Sequence, residues 1–403
     1  MKYTQQEVMQ FVMEEDVKFI RLVFCDVFGK QKNKSIMPSE LERAFRHGIA
    51  IDASAITGFG GEVSSDLFLH PDPDTLAILP WRPEHGKVVR MFCTITRPDG
   101  SVFENDTRSI LIRAIEEAEQ AGYSFYFGTE MEFYLFKLDE LGEPTRIPYD
   151  KAGYMDVAPD DKGENVRREI CLSLEQMGII PEGSHHEEGP GQNEIDFRYS
   201  DALAAADNAM TFATVVRAMA ARNGLHADFS PKPLADRPGN GLHINISVKD
   251  RHGSVPSSSL IAGILQNAKD ITVFMNPTED SYKRLGCFKA PGYISWSSEN
   301  RSQLIRVPAA YGEYKRAELR SPDPMANPYL AFALLIYAAL DGIRNGSELP
   351  PPAEINLYTA APDVTENYPR LPATLSEARA RAAASGFVRR YLPPMLVRTY
   401  CEQ

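Results

Sequence analysis

Apolar and polar positions fall into two patterns along this chain, changing near residue 100. Before that point, Val8, Phe11 and Val12 share one helical face and predict a short amphipathic helix. Strands are predicted over FIRLVFCDVFG, over KNKSIMP, within PDPDTLAILPW between Pro-rich turns, and over KVVRMFCTIT. These make a small α/β unit. The turn-rich RPDGSVFENDTR marks its end, and RSILIRAIEEAEQAG predicts a helix with Asp106 or Thr107 as cap and Gly122 as stop. Strands and helices then alternate. YSFYFGTEMEFYLFKL reads as a long strand, NVRREICLSLEQMG as a helix and QNEIDFRYS as a strand. ALAAADNAMTFATVVRAMAARNG predicts a helix, HADFSPKP and GLHINISV strands, and LIAGILQNAKDITVFMNP another helix. NRSQLIRVP and YKRAELRSPDP read as strands before the helix NPYLAFALLIYAALDGI. The second pattern predicts one large α+β domain, and no internal repeat is visible.

Composition narrows the class. With 43% hydrophobic residues, the 403-residue chain has enough apolar material for a sizeable core, and its length favours two domains. A net charge of -12 argues against a nucleic-acid binder, which needs a basic face. Cys25, Cys93, Cys171, Cys287 and Cys401 are scattered and form no CxxC pair, so neither a disulfide framework nor a zinc site is expected. The first residues carry acidic side chains where a signal peptide needs an apolar core, and the apolar run Tyr329 to Leu340 is too short to span a bilayer. A cytoplasmic protein without a membrane segment is expected.

Candidate chemistry sits in a few segments. In GTEMEFYLF, Glu130 and Glu132 are two apart in a strand and project from one face. Like charges there repel unless cations lie between them, although a solvated face would also tolerate them. HHEEGPGQNEIDF offers Glu187 on a Gly/Pro loop and Glu194 entering a strand, with His185 and His186 beside them; an acidic surface loop is the plainer alternative. PGNGLHINIS contributes His243, which a structural role would also explain. KRAELRSPDP places Glu318 between Arg316 and Arg320, equally readable as an ion-pair ladder. Arg284, Arg301 and Arg306 need anionic partners, either carboxylates or phosphate. Taken together, the carboxylates and one imidazole make an oxygen-rich set suited to Mg2+ or Mn2+, and the arginines suit a transferring phosphoryl group. No GxxxxGK[ST] is present, so a P-loop does not hold a nucleotide here.

GTEMEFYLF, HHEEGPGQNEIDF, PGNGLHINIS, NPTEDSYKRL, NRSQLIRVP and RAELRSPDPMANPYLAF resemble, in order and spacing, the signatures of type I glutamine synthetases. IDASAITGF and SSDLFLHPDPDTLAILPW resemble that family's small domain. The resemblance implies a β-grasp N-terminal domain over residues 1–103 and a catalytic domain over 104–403 with a curved antiparallel sheet. It implies a homo-oligomer, usually a dodecamer, with sites between subunits. It implies that ATP is a co-substrate and that two or more Mg2+ or Mn2+ ions serve each site. On this resemblance Glu132, Glu187 and Glu194 hold the metal nearer glutamate, and Glu130, His243 and Glu318 hold the metal on the ATP phosphates. Arg284, Arg301, Arg306 and Arg320 contact glutamate and the transferring group, and Gly239 lies near the amino acid. Ser247, Arg306 and Arg316 serve the nucleotide, and Asp52 binds and deprotonates ammonium. The implied reaction joins ammonia to the γ-carboxylate of glutamate through γ-glutamyl phosphate.

Several positions depart from the family pattern. KRLGCFKAP is one residue shorter than the usual flap and has Lys289 where a glutamate is expected. Ala55 takes a serine position, Pro238 an asparagine position, and Asp280 stands in NPTED. A protonated lysine repels ammonium. With the flap glutamate lost, an organic amine (a polyamine, ethanolamine or methylamine) is the alternative nitrogen donor. A non-catalytic regulatory member is a further alternative, which intact ligand positions disfavour.

Overall fold

The computed structural model describes residues 3–61, 65–82, 85–251, 257–309 and 316–402. Its first helix, α1 (Gln5–Glu14), starts on a capping box in which Thr4 and Glu7 satisfy each other's backbone N–H groups. The first sheet contains β1 (Val17–Cys25), β2 (Gln31–Ile36), β3 (Ile49–Asp52), β4 (Asp66–Pro71), β5 (Ala77–Ile78) and β6 (Lys87–Thr96). Its strand order is β2-β1-β6-β4-β3, with β5 on β6. The central β1 and β6 run parallel, and every other pair in this sheet is antiparallel. Helix α2 (Leu41–His47) links β2 to β3.

Asp106 caps α3 (Thr107–Gln120), which ends before Gly122 at a φ of 90°. The second sheet is built on β7 (Tyr123–Leu138). One edge of β7 pairs with β8 (Pro144–Pro148), β10 (Gln192–Phe197) and β11 (Ser200–Asp201); the other pairs with β12 (Leu225–Asp228) and β13 (Leu242–Asp250). Beyond these lie β9 (Pro181–His186) on one side, and β16 (Ala317–Leu319), β15 (Ile305–Val307) and β14 (Trp296–Ser298) on the other. All these pairings are antiparallel except β14 with β15.

Period-two patterning in β7 explains which face becomes the site. Phe125, Phe127, Met131, Phe133 and Leu135 are buried on one face. They meet helices α5 (Ala202–Arg222) and α8 (Pro328–Arg344), the latter following α4 (Glu164–Gln176), α6 (Ser257–Met275) and α7 (Glu279–Arg284) in the chain. Phe127 stacks on Phe332 of α8 at 4.2 Å, and Phe133 meets Phe212 of α5 edge-on at 6.2 Å. Burial of each such ring stabilises the fold by roughly 1.5–3 kcal/mol. The alternate positions, Gly128, Glu130 and Glu132, are left for the opposite face.

Helix α8 is buried along Pro328–Leu340, as its uninterrupted apolar run predicts. Asn327 caps it, accepting from Tyr329 N at 3.0 Å, and donates to Val27 O of the small unit at 3.0 Å. Among the described residues no helix is long and apolar enough to cross a membrane. Helices α6 and α8 approach backbone to backbone at Gly263 and Gly342; a Cβ on Gly263 would lie 2.1 Å from Ala338 O. Gly263→Ala is expected to lower stability by about 1–3 kcal/mol, read as a lower urea midpoint with an unchanged slope.

Several expected strands are shorter than their apolar segments. LAILPW contributes Ala77–Ile78, HADFSPKP only Leu225–Asp228, and NRSQLIRVP only Ile305–Val307; Pro80 lies just past the first, Gly224 precedes the second and Pro308 follows the third. Tyr314 and Lys315 of the last expected strand lie outside the described residues, and the strand found there is Ala317–Leu319. Ser184–His186 form the end of β9, and neither this strand nor the small helices over residues 362–401 were anticipated.

Candidate active site

Direct opposition across antiparallel strands puts side chains on one face. Glu132 of β7 opposes Glu194 of β10, and Glu130 opposes Asp196 on that edge and His243 on the other. His185 of β9 opposes Glu194 from the outer side. Asn245 of β13 opposes Glu318 of β16, which opposes Arg306 of β15. A single row of ligating and charged side chains therefore crosses six strands. Glu187 follows β9 and reaches the row through His185, whose Nε2 lies 2.9 Å from Glu187 Oε1.

The row divides into two groups of potential ligands. Atoms of Glu130, Glu194 and His243 lie within 4.8 Å of one another, as do those of His185, Glu187 and Glu194. Glu194 belongs to both. Of the expected second group, His243 Nδ1 lies 3.3 Å from Glu130 and 3.7 Å from Glu318; of the first, Glu187 and Glu194 fall in one cluster, and Glu132 opposes Glu194. Glu132 Oε2 accepts from Gly241 N at 2.6 Å and from Gln192 Nε2 at 3.3 Å. Glu318, wholly buried, accepts from Arg306 Nε and from Arg320 Nη1, and stands 3.7 Å from His243 Nδ1. Arg306 and Arg320 thus meet a protein carboxylate.

Crowding shows in the ionisation of these groups. Burial, then Glu132 and Asp196, pushes Glu194 well above the usual carboxylate range. Burial also raises Glu132, against the charge of His243, and Asp196 is pushed up to about 7 by burial and Glu130. Glu130 goes the other way: burial opposes its ionisation, but the bond and charge from His243, then Asn245, hold it at about 2. Glu187 is likewise lowered, against burial, by its bond to His185. Carboxylates raised by burial and by one another's charge fit hard divalent cations such as Mg2+ or Mn2+, whose charge would relieve that repulsion.

Two cavities adjoin along the row and share Glu130 and Asp196 in their walls. The larger, about 390 Å3, is lined by the carboxylates together with Gly239, Arg284, Arg301, Arg306 and Arg320. The smaller, about 230 Å3, is bounded by Tyr126, Tyr199, Asn245, Ser247 and Arg316, whose Nε donates to Asn245 Oδ1 at 2.8 Å. Buried Arg284 donates to Ser321 O at 2.7 Å. Gly239 packs against it so closely that a Cβ there would lie 2.2 Å from Pro231 O and 3.0 Å from Arg284 Cγ. Gly239→Ala is expected to displace Arg284 from the cavity wall and to lower stability by about 1–3 kcal/mol, measured as a lower urea midpoint.

Lys289 lies in the wall of the larger cavity, as its place in the chain predicts, and pairs with Glu188 at 2.5 Å. Asp52 lines neither cavity. It is exposed at the end of β3, where bonds from Ser54 Oγ (2.7 Å) and N (2.9 Å) lower its pKa. Sequence reasoning missed Asp196 and Asn245. Both were findable by the rule that linked Glu130 to Glu132, since Glu194 and Asp196, and His243 and Asn245, are also two apart in a strand.

Comparison with known proteins agrees with this architecture. Residues 16–98 match the glutamine synthetase β-grasp domain, and residues 104–403 match the glutamine synthetase catalytic domain. A glutamine synthetase of Clostridium saccharobutylicum is 47% identical over 370 residues, covering 89% of this chain and 84% of the relative. One from Staphylococcus aureus (strain Mu50 / ATCC 700699) is 45% identical, covering 88% and 83%. A solved GmaS/ADP complex superposes with a TM-score of 0.89 at 27% identity, covering 98% of this chain and 94% of that one. The Plasmodium falciparum glutamine synthetase has a TM-score of 0.87 at 22% identity, covering 100% and 96%, which supports the fold. The small sheet is thus a β-grasp domain and the larger one a glutamine synthetase sheet. The chain belongs to the glutamine synthetase family and is a ligase, either a glutamate–ammonia ligase or a closely related γ-glutamyl–amine ligase.

Proposed function

We propose that this protein makes glutamine from glutamate, ammonia and ATP, with residues 1–103 and 104–403 as its two domains. The observation that carries the reading is the single row of carboxylates and imidazoles, closed at one end by Arg306 and Arg320. In the first step the γ-carboxylate oxygen of glutamate attacks the ATP γ-phosphorus, and the bond to the ADP oxygen breaks. In the second, the amine nitrogen attacks the acyl carbon of γ-glutamyl phosphate, phosphate leaves, and the nitrogen gives up its proton. Divalent ions held by Glu130, Glu132, Glu187, Glu194, His243 and Glu318 would neutralise the phosphoryl oxygens. Arg284 and Arg301 orient the glutamate beside Gly239, and Arg306 and Arg320 turn toward the transferring group. Ser247 and Arg316 border the smaller cavity, which takes the nucleotide. Asp52 acts from the β-grasp domain of a neighbouring subunit in a homo-oligomer, here a dodecamer, and receives the ammonium proton.

Lys289 supports a second reading, in which the donor is an organic amine. The lysine stands at the cavity wall in place of the carboxylate expected to serve ammonium, and its own charge, partly offset by Glu188, acts alike on protonated organic amines. A panel of ammonia, methylamine, ethanolamine and a polyamine, assayed for glutamate-dependent phosphate release, separates the two. Ammonia with the highest kcat/KM supports the first reading; a tenfold preference for any organic amine replaces it with the second. Lys289→Ala, which leaves Glu188 unpaired, is expected to lower the KM for ammonium by about fivefold, the effect of roughly 1 kcal/mol for a solvated unit charge at 4 Å. The kcat should be unchanged.

A further inference from the structure

Glu187 stands on a loop rich in Gly and Pro, a backbone that by itself would let a carboxylate wander. The loop is held from behind by a buried group outside the cavity row. Asp150 Oδ1 accepts from His186 Nε2 at 2.9 Å, immediately before Glu187, and from Gly191 N at 2.9 Å, at the loop's far end. His186 Nδ1 in turn donates to Glu187 O at 2.6 Å. One carboxylate oxygen thus ties both ends of the loop, and the imidazole between them grips the backbone of Glu187 itself. Asp150 is fixed in its own right. It follows β8, where Tyr149 N donates to Leu135 O of β7 at 2.9 Å, and its Oδ2 accepts from Lys162 N at 3.1 Å. The chain of bonds therefore runs from the strand bearing Glu130 and Glu132 to Glu187. His186 is fully buried and Asp150 5% exposed, so water does not compete for these bonds.

Asp150, Asp161 and His186 lie close enough to suggest a cation site of their own. Their partners argue otherwise: both ring nitrogens of His186 are engaged, and Asp161 takes a two-pronged bond from Arg167 at 2.5 and 3.2 Å. The guanidinium already supplies the cation.

We infer that Asp150, acting through His186, is a positioning residue that sets Glu187 for divalent-metal binding. The inference rests on Glu187 being a metal ligand, as proposed above. Residues that orient a ligand from outside typically alter metal affinity by about 10–100-fold. Mn2+ binding to the full-length protein, measured by calorimetry, tests it alongside the thermal midpoint of the metal-free protein. Asp150→Ala is expected to weaken at least one Mn2+ site by about 10–100-fold. Asp150→Asn, which keeps an acceptor for His186 and Gly191, should recover most of that loss and still bind about threefold more weakly than the native protein. It carries the test alone if the alanine variant does not fold. Asp161→Asn disturbs the Arg167 pair, which reaches the loop only through Asn193 and Gly191 O, so it should lower the midpoint while changing Mn2+ affinity by less than about twofold. Native Mn2+ affinity in Asp150→Ala, or in Asp150→Asn where only that variant folds, overturns the inference, as does an Asp161→Asn loss equal to that of Asp150→Ala. A native protein that binds no Mn2+ overturns this inference and the ligand reading together.

Discussion

Glu194→Gln is expected to lower turnover by about three orders of magnitude or more while leaving the fold intact. Glu194 is shared between the two ligand groups, so one isosteric change removes a carboxylate from both. Metal-ion stabilisation of a transferring phosphoryl group is worth several kcal/mol, and each 1.4 kcal/mol or so is a factor of ten in rate. The fold should survive because Glu194 is held well above the usual carboxylate range by burial and by Glu132 and Asp196. Its charge opposes the metal-free fold rather than supporting it. The metal-free variant should therefore melt at or above the native midpoint, and the rise in midpoint on adding Mg2+ or Mn2+ should shrink or vanish. Turnover within tenfold of native would place the reacting groups elsewhere.

Arg108→Met is expected to cost about 3–5 kcal/mol of stability, the usual result of stranding buried carboxylates. Arg108 lies at the start of α3, where the two domains meet. Its Nε and Nη2 bond both oxygens of buried Asp207 on α5 at 3.1 and 2.9 Å, and Nη2 also reaches Asp72 of the small domain at 2.8 Å. Tyr329 Oη of α8 donates to Asp207 at 2.6 Å. One guanidinium thus joins the small domain, α5 and, through Asp207, α8. Burial opposes the charge on Arg108, but Asp207 holds its pKa above the usual value, so the ion persists across the physiological range. Without it the Asp207 carboxylate keeps one direct hydrogen bond, from Tyr329, and the more distant charge of Arg90. A chemical denaturation curve reads the loss, and adding Asp207→Asn to the variant should restore part of it. A loss below about 1 kcal/mol would mean that water replaces the guanidinium.

The fold and the site were legible to different depths. Long periodic segments were read correctly: the alternation in YSFYFGTEMEFYLFKL gave β7, and the uninterrupted apolar run after Asn327 gave α8. The short strands were not, because three residues such as Ile305–Val307 carry too little pattern and are held by neighbours distant in sequence. For the site, most carboxylates, though not Asp196, could be named, since a side chain's donor chemistry is local. How they group could not, because grouping depends on register. Only the pairing of β10 with β7 brings Glu194 opposite Glu132, and a two-residue slip would pair it with Glu130 or Tyr134. Arg306 and Arg320 illustrate the same limit, since spacing alone could not choose between phosphate and Glu318. Asp52 lines neither cavity of its own chain, so the role proposed for it requires a neighbouring subunit, which one sequence does not describe.

The central claim is that ATP activates the side-chain carboxylate of glutamate in this site, whichever amine follows. Hydroxylamine tests it directly, because this small nucleophile traps an acyl phosphate as a hydroxamate that ferric iron reveals by colour. With glutamate, ATP and Mg2+, the native protein is expected to form γ-glutamyl hydroxamate with one phosphate released for each, and Glu194→Gln is expected to form almost none. Native protein that hydrolyses ATP without hydroxamate, or that forms as much without ATP, would contradict the account.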